Sequence, residues 1–315
     1  MNRKSKIYSI LKKCETPPLH SRFWLFMSLL YNTIVLLLGK VLLCQFQHVY
    51  KERKCILIPV FSNGDLLVFY RSIHEIENAN HLDQPAIIIP KQLEATAKVL
   101  GIENLNPVSN WQILALGKAS IFFENKNVIV SHPWHFFDIT QINMNAALNC
   151  IPNSASNSIY IEVLSEEEYG GKCVVLSPYE QSFASLNLPR LPQSFWVNLS
   201  ERLRDQGFIV VTNCNGQSEL PIKGTKSFYP PIVDIPSAID LAGYSVSVRS
   251  GFTDWCSGSS TAKQAVLYPS ENFLYRFSMK TVWGHDGMLE LVYDENPVTL
   301  DDMTEKILSF FRKDG

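Results

Sequence analysis

The sequence predicts an α/β protein of two domains, each built on a mainly parallel sheet, behind an N-terminal apolar and basic helical segment. Three observations carry this. At 315 residues the chain exceeds one small core and suits two α/β domains of ordinary size. From Cys55 onward, short buried apolar runs alternate with helical patterns, the grammar of parallel strands joined by crossovers. Before Cys55 the composition changes abruptly to a basic stretch followed by an apolar block.

That first block covers residues 1–54. Arg3, Lys4, Lys6, Lys12, Lys13 and Arg22 stand against Glu15 alone, with Ile7, Ile10 and Leu11 at helical spacing among them. Phe23 to Gly39 is almost wholly apolar, Lys40 interrupts it, and Lys51, Arg53 and Lys54 follow. Its length is near the lower limit of about 17 residues for a membrane-spanning helix. The long charged region and the lack of a small-residue cleavage site argue against a secretory signal. Basic flanks on both sides fit a segment that contacts anionic lipid, as a peripheral helix or a single anchor at the inner membrane's cytoplasmic side. Packing as a core helix is the alternative.

CILIPVF (55–61) reads as a buried strand, Ser62 to Asp65 as a turn, and Leu66 to about Ile76 as a helix. PAIIIP (85–90) is a strand and residues 91–102 a helix ending at Gly101; WQILALG, ASIFF and NVIVS read as further short strands. Polar breaks at 152–158 and 166–171 place a boundary near 155–172, so 55–160 and 161–315 form the two domains. In the second, KCVVLSP (172–178), FIVVTN (208–213), SVSVRS (245–250) and QAVLYP (264–269) are strands. Helices are expected over Gln193–Gln206, with Phe195, Trp196, Leu199 and Leu203 on one side, over Ser237–Gly243, and over Leu300–Arg312. The last of these has the option of packing back on the first domain.

The seven cysteines have irregular spacing and no C-x-x-C pair, which fits free thiols in a reducing compartment rather than a disulfide framework or zinc site. A net charge of -2 and no basic stripe with interleaved aromatics beyond the N-terminal block exclude a nucleic-acid partner. No phosphate-loop, dinucleotide or nucleophile-elbow motif occurs, and no D-x-D element marks a metal-dependent transferase. No metal and no resident cofactor are expected.

Three strand ends in the second half converge on one crevice if the sheet is parallel, because ligands bind outside the carboxyl ends of such strands. They are Pro178 to Ser182, Asn213 to Gly216, and Arg249 to Asp254. An Arg neutralises a diphosphate, a Ser hydroxyl bonds it, and a Gly admits the backbone N–H groups. Arg249 paired with Asp254 at a helix start is the competing reading. In the first half, Asp65 after a buried strand is either a general base for an acceptor hydroxyl or a helix cap. His132 and His135, in a loop with Trp134, offer a second base, an acceptor-binding loop, or simple aromatic packing; a metal lacks a third ligand nearby.

The stretches Leu176–Ser182, Phe195-Trp196, Gly207–Asn213 and above all Ala242–Asp254 resemble GT-B-type glycosyltransferases of bacterial surface-polysaccharide synthesis, similar in layout to heptosyltransferases and fucosyltransferases. The resemblance implies two Rossmann-like domains facing a cleft, with the acceptor on the first and a nucleotide-sugar donor on the second. It implies Arg249, Ser250 and Gly251 at the donor pyrophosphate, Ser177, Tyr179, Ser182 and Asn213 beside them, Asp234 near the nucleobase, and Asp65 as catalytic base. Asp254 stands where the heptosyltransferase D-S-G-x-x-H pattern is not kept. The implied reaction is metal-independent, inverting transfer of a sugar to a polysaccharide, lipopolysaccharide or lipid-linked acceptor. A non-catalytic protein of the same fold, or transfer of a pyruvyl or phosphoryl group, are the rival readings.

Overall fold

The computed structural model describes residues 22–50, 54–58, 60–79, 81–123, 128–130, 170–179, 189–214, 219–285, 287–294 and 296–312. Contacts divide the chain into two compact units. The first is Met1–Phe61 with His74–His135, and the second Ser62–Ile73 with Phe136–Gly315. The expected boundary near 155–172 falls almost wholly outside the described residues. Ser62–Ile73 belongs by its contacts with the later part of the chain, which its position after the first strand did not announce.

The first unit holds a four-stranded parallel sheet. Its strands are β1 (Cys55–Leu57), β2 (Ala86–Pro90), β3 (Leu105–Val108) and β4 (Val128–Val130), in the order β3-β2-β1-β4. All five residues of β2 are buried, as expected of a strand covered on both faces. Pro107 sits in β3, at the sheet's edge, where a residue without an N–H is tolerated.

The long N-terminal helix α1 (Arg22–Val49) packs on this unit along one side. Leu43 is buried with Cys55, Leu57, Ala86 and Ile88 of the sheet, and Leu36, Leu42 and Phe46 pack against the same cluster. Gly39 makes the closest approach. A Cβ there would lie 2.1 Å from the carbonyl oxygen of Ala115, so only glycine lets the two helices meet at that depth.

Ala115 lies on α4 (Asn110–Phe122), and here the strand reading of WQILALG and ASIFF is overturned. These residues form one helix. Ser109 and Gln112 start it with a capping box, and Gln, Leu, Ala and Lys are all good helix formers. Its apolar residues do not keep to one face, because α1 lies on one side and the sheet on the other, so the helical period is invisible in the sequence. The helix after β1 also starts earlier than expected: α2 runs Asn63–Ala79. Residues 91–102 form a short 3-10 turn and then α3 (Glu94–Val99).

The second unit holds six parallel strands: β5 (Cys173–Ser177), β6 (Ile209–Asn213), β7 (Lys226–Phe228), β8 (Gly243–Val248), β9 (Lys263–Tyr268) and β10 (Leu289–Val292). Their order, β10-β9-β8-β5-β6-β7, is that of a dinucleotide-type doubly wound sheet. The chain reverses direction across the sheet between β5 and β8, the place where such folds bind ligands. β10 was not anticipated from the sequence.

Two helix layers cover this sheet. On one face α5 (Gln193–Asp205) buries Phe195, Trp196, Leu199 and Leu203, as its period predicted. Beside it α10 (Pro297–Arg312) adds Leu300, Met303, Ile307, Leu308 and Phe311 to the same core. The last helix therefore completes the second unit's own core. The other face carries α6 (Ile235–Ala242) and α7 (Gly251–Cys256). The small helices α8 (Glu271–Phe277) and α9 (Met279–Trp283) connect β9 to β10.

Candidate functional site

The carboxyl ends of β5 and β8, at the switch point, carry most of the residues singled out from the sequence. Ser177 ends β5, lies beside Ser247 of β8 and accepts a hydrogen bond from Asn213 Nδ2 at 3.0 Å. Ser177 is buried, so this bond braces the ends of β5 and β6 rather than presenting a hydroxyl to solvent.

Two residues on, Tyr179 lines a cavity of about 400 Å3 together with Leu191, Trp196, Val248, Tyr293 and Arg190. The Tyr179 hydroxyl donates to the carbonyl of Leu220, and burial together with the nearby Cys214 and Glu219 pushes its ionisation up. Aromatic and aliphatic walls with a guanidinium and the Glu219 carboxyl suit a flat heteroaromatic ring linked to an anionic group. Arg190 was missed in the sequence. The available signal was its position just ahead of Pro192 and an amphipathic helix, on a loop at the same sheet edge.

Arg249 follows β8 but faces inward. It is almost fully buried, with Nη2 2.7 Å from Asp254 Oδ1, Nε donating to the carbonyl of Phe277 and Nη1 to that of Ser250. Trp283 Nε1 also donates to Asp254 Oδ1, at 2.8 Å. Burial works against the guanidinium's charge, but Asp254, Tyr268 and Glu290 outweigh it and hold the ionisation above the usual arginine value. Of the two readings of Arg249, this is the geometry of the ion pair at a helix start. Removing either partner would leave a buried charge unmatched.

Ser250 is the N-cap of α7. Its backbone N–H donates to Thr253 Oγ1, which in turn donates to the carbonyl of Val248 and lies 3.2 Å from Ser247 Oγ. The Ser250 hydroxyl is buried and faces the Thr253 backbone N–H across a capping box, at a geometry short of a full hydrogen bond.

Asp65 sits in the first turn of α2. Ser62, not Asp65, is the cap. Its hydroxyl accepts from Asp65 N at 3.2 Å and donates to Asp65 Oδ2 at 2.6 Å. Desolvation raises the Asp65 pKa most, the Ser62 hydrogen bond lowers it, Asp254 raises it and Arg249 lowers it, with a net shift upward. The carboxylate is thus electrostatically coupled to the Arg249–Asp254 pair, although some 190 residues separate them in sequence.

What brings them together is a backbone contact. A Cβ on Gly64 would lie 2.7 Å from Gly251 Cα and 3.1 Å from Asp254 Oδ2, while one on Gly251 would meet Gly64 atoms no closer than 3.5 Å. Trp255 Nε1 donates to the carbonyl of Asn63 at 3.3 Å, tying the same two helix starts. The two glycines are therefore unequal. Gly64→Ala is expected to destabilise the protein by about 1–3 kcal/mol through overpacking, whereas Gly251→Ala leaves the melting temperature nearly unchanged. Equal melting temperatures for the two variants would contradict the contact.

Asp234 is buried at the end of a 3-10 turn, Ile232–Asp234, which contacts α7. It thus lies on the Arg249 side of the sheet. His132, His135 and Ser182 lie outside the described residues. Among the described residues no three His, Cys, Asp or Glu side chains converge as a metal site would need. Trp255 and Trp283, which hold the two halves of the site, carried no signal in the sequence beyond being large and apolar.

Glycosyl transferase family 9 from Veillonella parvula DSM 2008 superposes with a TM-score of 0.51 over 84% of this chain and 98% of that one, at 12% identity. The chain shares that protein's fold. E. coli heptosyltransferase WaaC with ADP aligns over 82% of this chain and 99% of that one, with a TM-score of 0.47 and 11% identity. No known protein family's sequence profile matches the chain, and no curated relative does. The fold expectation drawn from the β5, β6 and β8 stretches therefore agrees with a glycosyl transferase family 9 structure, at an identity that speaks for the fold alone.

Proposed function

We propose that the protein is a glycosyltransferase that moves a sugar from a nucleotide-diphosphate donor to a polysaccharide, lipopolysaccharide or lipid-linked acceptor. The observation that carries this is a half-buried carboxylate of raised pKa, Asp65, held by the Gly64–Gly251 contact at the helix start that follows β8, while a cavity fit for a nucleotide opens at the end of the same strand, on its other face. The fold shared with the Veillonella glycosyl transferase supports it.

In the proposed reaction an acceptor hydroxyl attacks the anomeric carbon as the bond from that carbon to the diphosphate oxygen breaks. Asp65 takes the hydroxyl proton, and the nucleoside diphosphate leaves with the electron pair. The transfer inverts the anomeric centre and uses no metal. Leaving-group charge is then met by Arg190 at the cavity wall. Arg249 acts as a positioning residue, since its guanidinium is engaged by Asp254, Phe277 and Ser250. His132 and His135 belong, in this reading, to an acceptor-binding loop.

The direct test is a thermal-shift screen of GDP, UDP, CDP, ADP and dTDP against the wild type and Arg190→Ala. One nucleotide is expected to raise the melting temperature above the rest, with the effect reduced at least about tenfold in apparent affinity in the variant, as the loss of a charged contact implies. A folded protein that answers to none of the five would remove the donor reading and favour a non-catalytic relative or transfer of another group. Arg249→Ala is not a clean probe, because it breaks a buried pair.

The raised Asp65 pKa adds a pH prediction. A base works ionised, so activity falls as pH drops through its pKa, and the acid limb of kcat/KM should lie above the ordinary carboxylate range. In Asp254→Asn the limb moves to lower pH, because a neighbouring negative charge is gone while Arg249 remains. An unmoved limb would assign the proton transfer to another group.

A further inference from the structure

Helix α1 is two-sided. Ser28, Gly39 and Leu43 are buried, and the Asn32 amide is taken up by the Ser28 carbonyl at 2.9 Å and by Lys118 of α4 at 2.5 Å. The opposite side is an exposed apolar stripe: Phe26, Leu29, Leu30, Ile34, Leu37 and Val41 are each 44–67% exposed. They recur at three- and four-residue steps, so they form one continuous face about 24 Å long. Of the polar side chains on that side, Thr33 returns its hydroxyl to the Leu29 carbonyl at 2.8 Å, which satisfies it within the helix, and Lys40 holds its ammonium over the Phe123 ring.

By length and composition Phe26–Val49 is the one helix among the described residues able to cross a membrane. Its packing argues for another arrangement. One side is committed along its length to α4 and the parallel sheet, a globular surface that a spanning helix would have to carry into the bilayer. Lys40 stands on the helix with its ammonium 4.7 Å from the Phe123 ring centre, rather than at a helix end.

The sequence supplies the matching charge. Residues 1–22 carry six Lys or Arg against one Glu, and Lys51, Arg53 and Lys54 follow the helix, in a chain whose net charge is -2. Basic groups thus bracket the stripe while the remainder of the chain is net acidic, which favours one orientation on a negative surface.

We infer that α1 is a monotopic membrane-docking ridge: it lies along one leaflet of an anionic bilayer, its Phe26–Val41 stripe in the acyl boundary and the basic flanks on the headgroups. This stands independently of the glycosyltransferase reading.

The test uses the full chain, freed of detergent in the presence of vesicles of phosphatidylcholine with or without phosphatidylglycerol, and read by flotation. The wild type is expected to float with the anionic vesicles. The double variant Ile34→Glu, Leu37→Glu should bind at least about tenfold more weakly, from the apolar burial lost. Changing Lys4, Lys6, Lys12 and Lys13 to Gln should weaken binding to anionic vesicles about tenfold or more and leave neutral vesicles unaffected. This second variant leaves every residue of the stripe and of its buried side unchanged, so it reports on binding even if the glutamates disturb folding. Trypsin added outside preformed vesicles should release N-terminal peptides. A protected N-terminus would mean that the helix crosses, and would overturn the proposal. So would a wild type that stays unbound, or a dimer split by the glutamate variant without vesicle binding, which would assign the stripe to a second copy of the chain.

Discussion

Replacing Asp65 by Asn should lower kcat/KM for sugar transfer by about a hundred- to ten-thousand-fold, the range for loss of a general base, with nucleotide binding intact. Asn keeps the shape and can still accept from Ser62, so the helix start should persist. Stability moves the other way. A carboxyl whose folded pKa is raised is favoured when protonated, and that advantage is lost as pH rises through the raised value. At neutral pH ionised Asp65 therefore costs the fold something, and the Asn variant should melt no lower than the wild type. Retained activity within about tenfold of wild type would reassign the base; His132 and His135 would be the next to test.

Asp254→Ala acts on the fold instead. It leaves the Arg249 guanidinium buried without its counter-ion and Trp283 Nε1 without its acceptor. The expected loss is about 3–5 kcal/mol, a fall in melting temperature of roughly 6–20 °C for a unit of this size. Arg249→Met combined with Asp254→Leu should recover much of it, because an apolar pair of similar volume avoids the desolvation cost. A single variant melting within about 2 °C of wild type would mean that water reaches the pair.

Much of the second unit was legible in the sequence because its strands are short apolar runs punctuated by Gly and Pro, and because α5 shows its buried face through a clean period. Gly207, with φ +86 after α5, is such a mark. In the first unit α4 was misread for a physical reason: it is covered on two sides, so its apolar residues lose the helical rhythm and imitate strands. The candidate site was legible by location but not by orientation. Strand ends named Ser177, Tyr179, Asn213 and Arg249, yet whether Arg249 turns outward to a ligand or inward to Asp254 depends on Trp283 and Phe277, some thirty residues downstream. The Gly64–Gly251 contact joins segments that no local pattern relates. Arg190 was hidden by its plainness: one Arg in a loop carries no period and no motif.

The alternation of side chains along β8 sends Val248 to the cavity lined by Trp196 and Ser247 to the Thr253 cluster on the far face. Selection can therefore act on the two faces separately. If the cavity holds the proposed nucleotide, substitutions around Tyr179 and Trp196 retune which one is accepted and leave the carboxylate and ion pair across the sheet undisturbed, and the effects of changes on opposite faces should add. On the proposed reading, a lineage carrying this fold has a route to new donors in which each step begins from an intact carboxylate site.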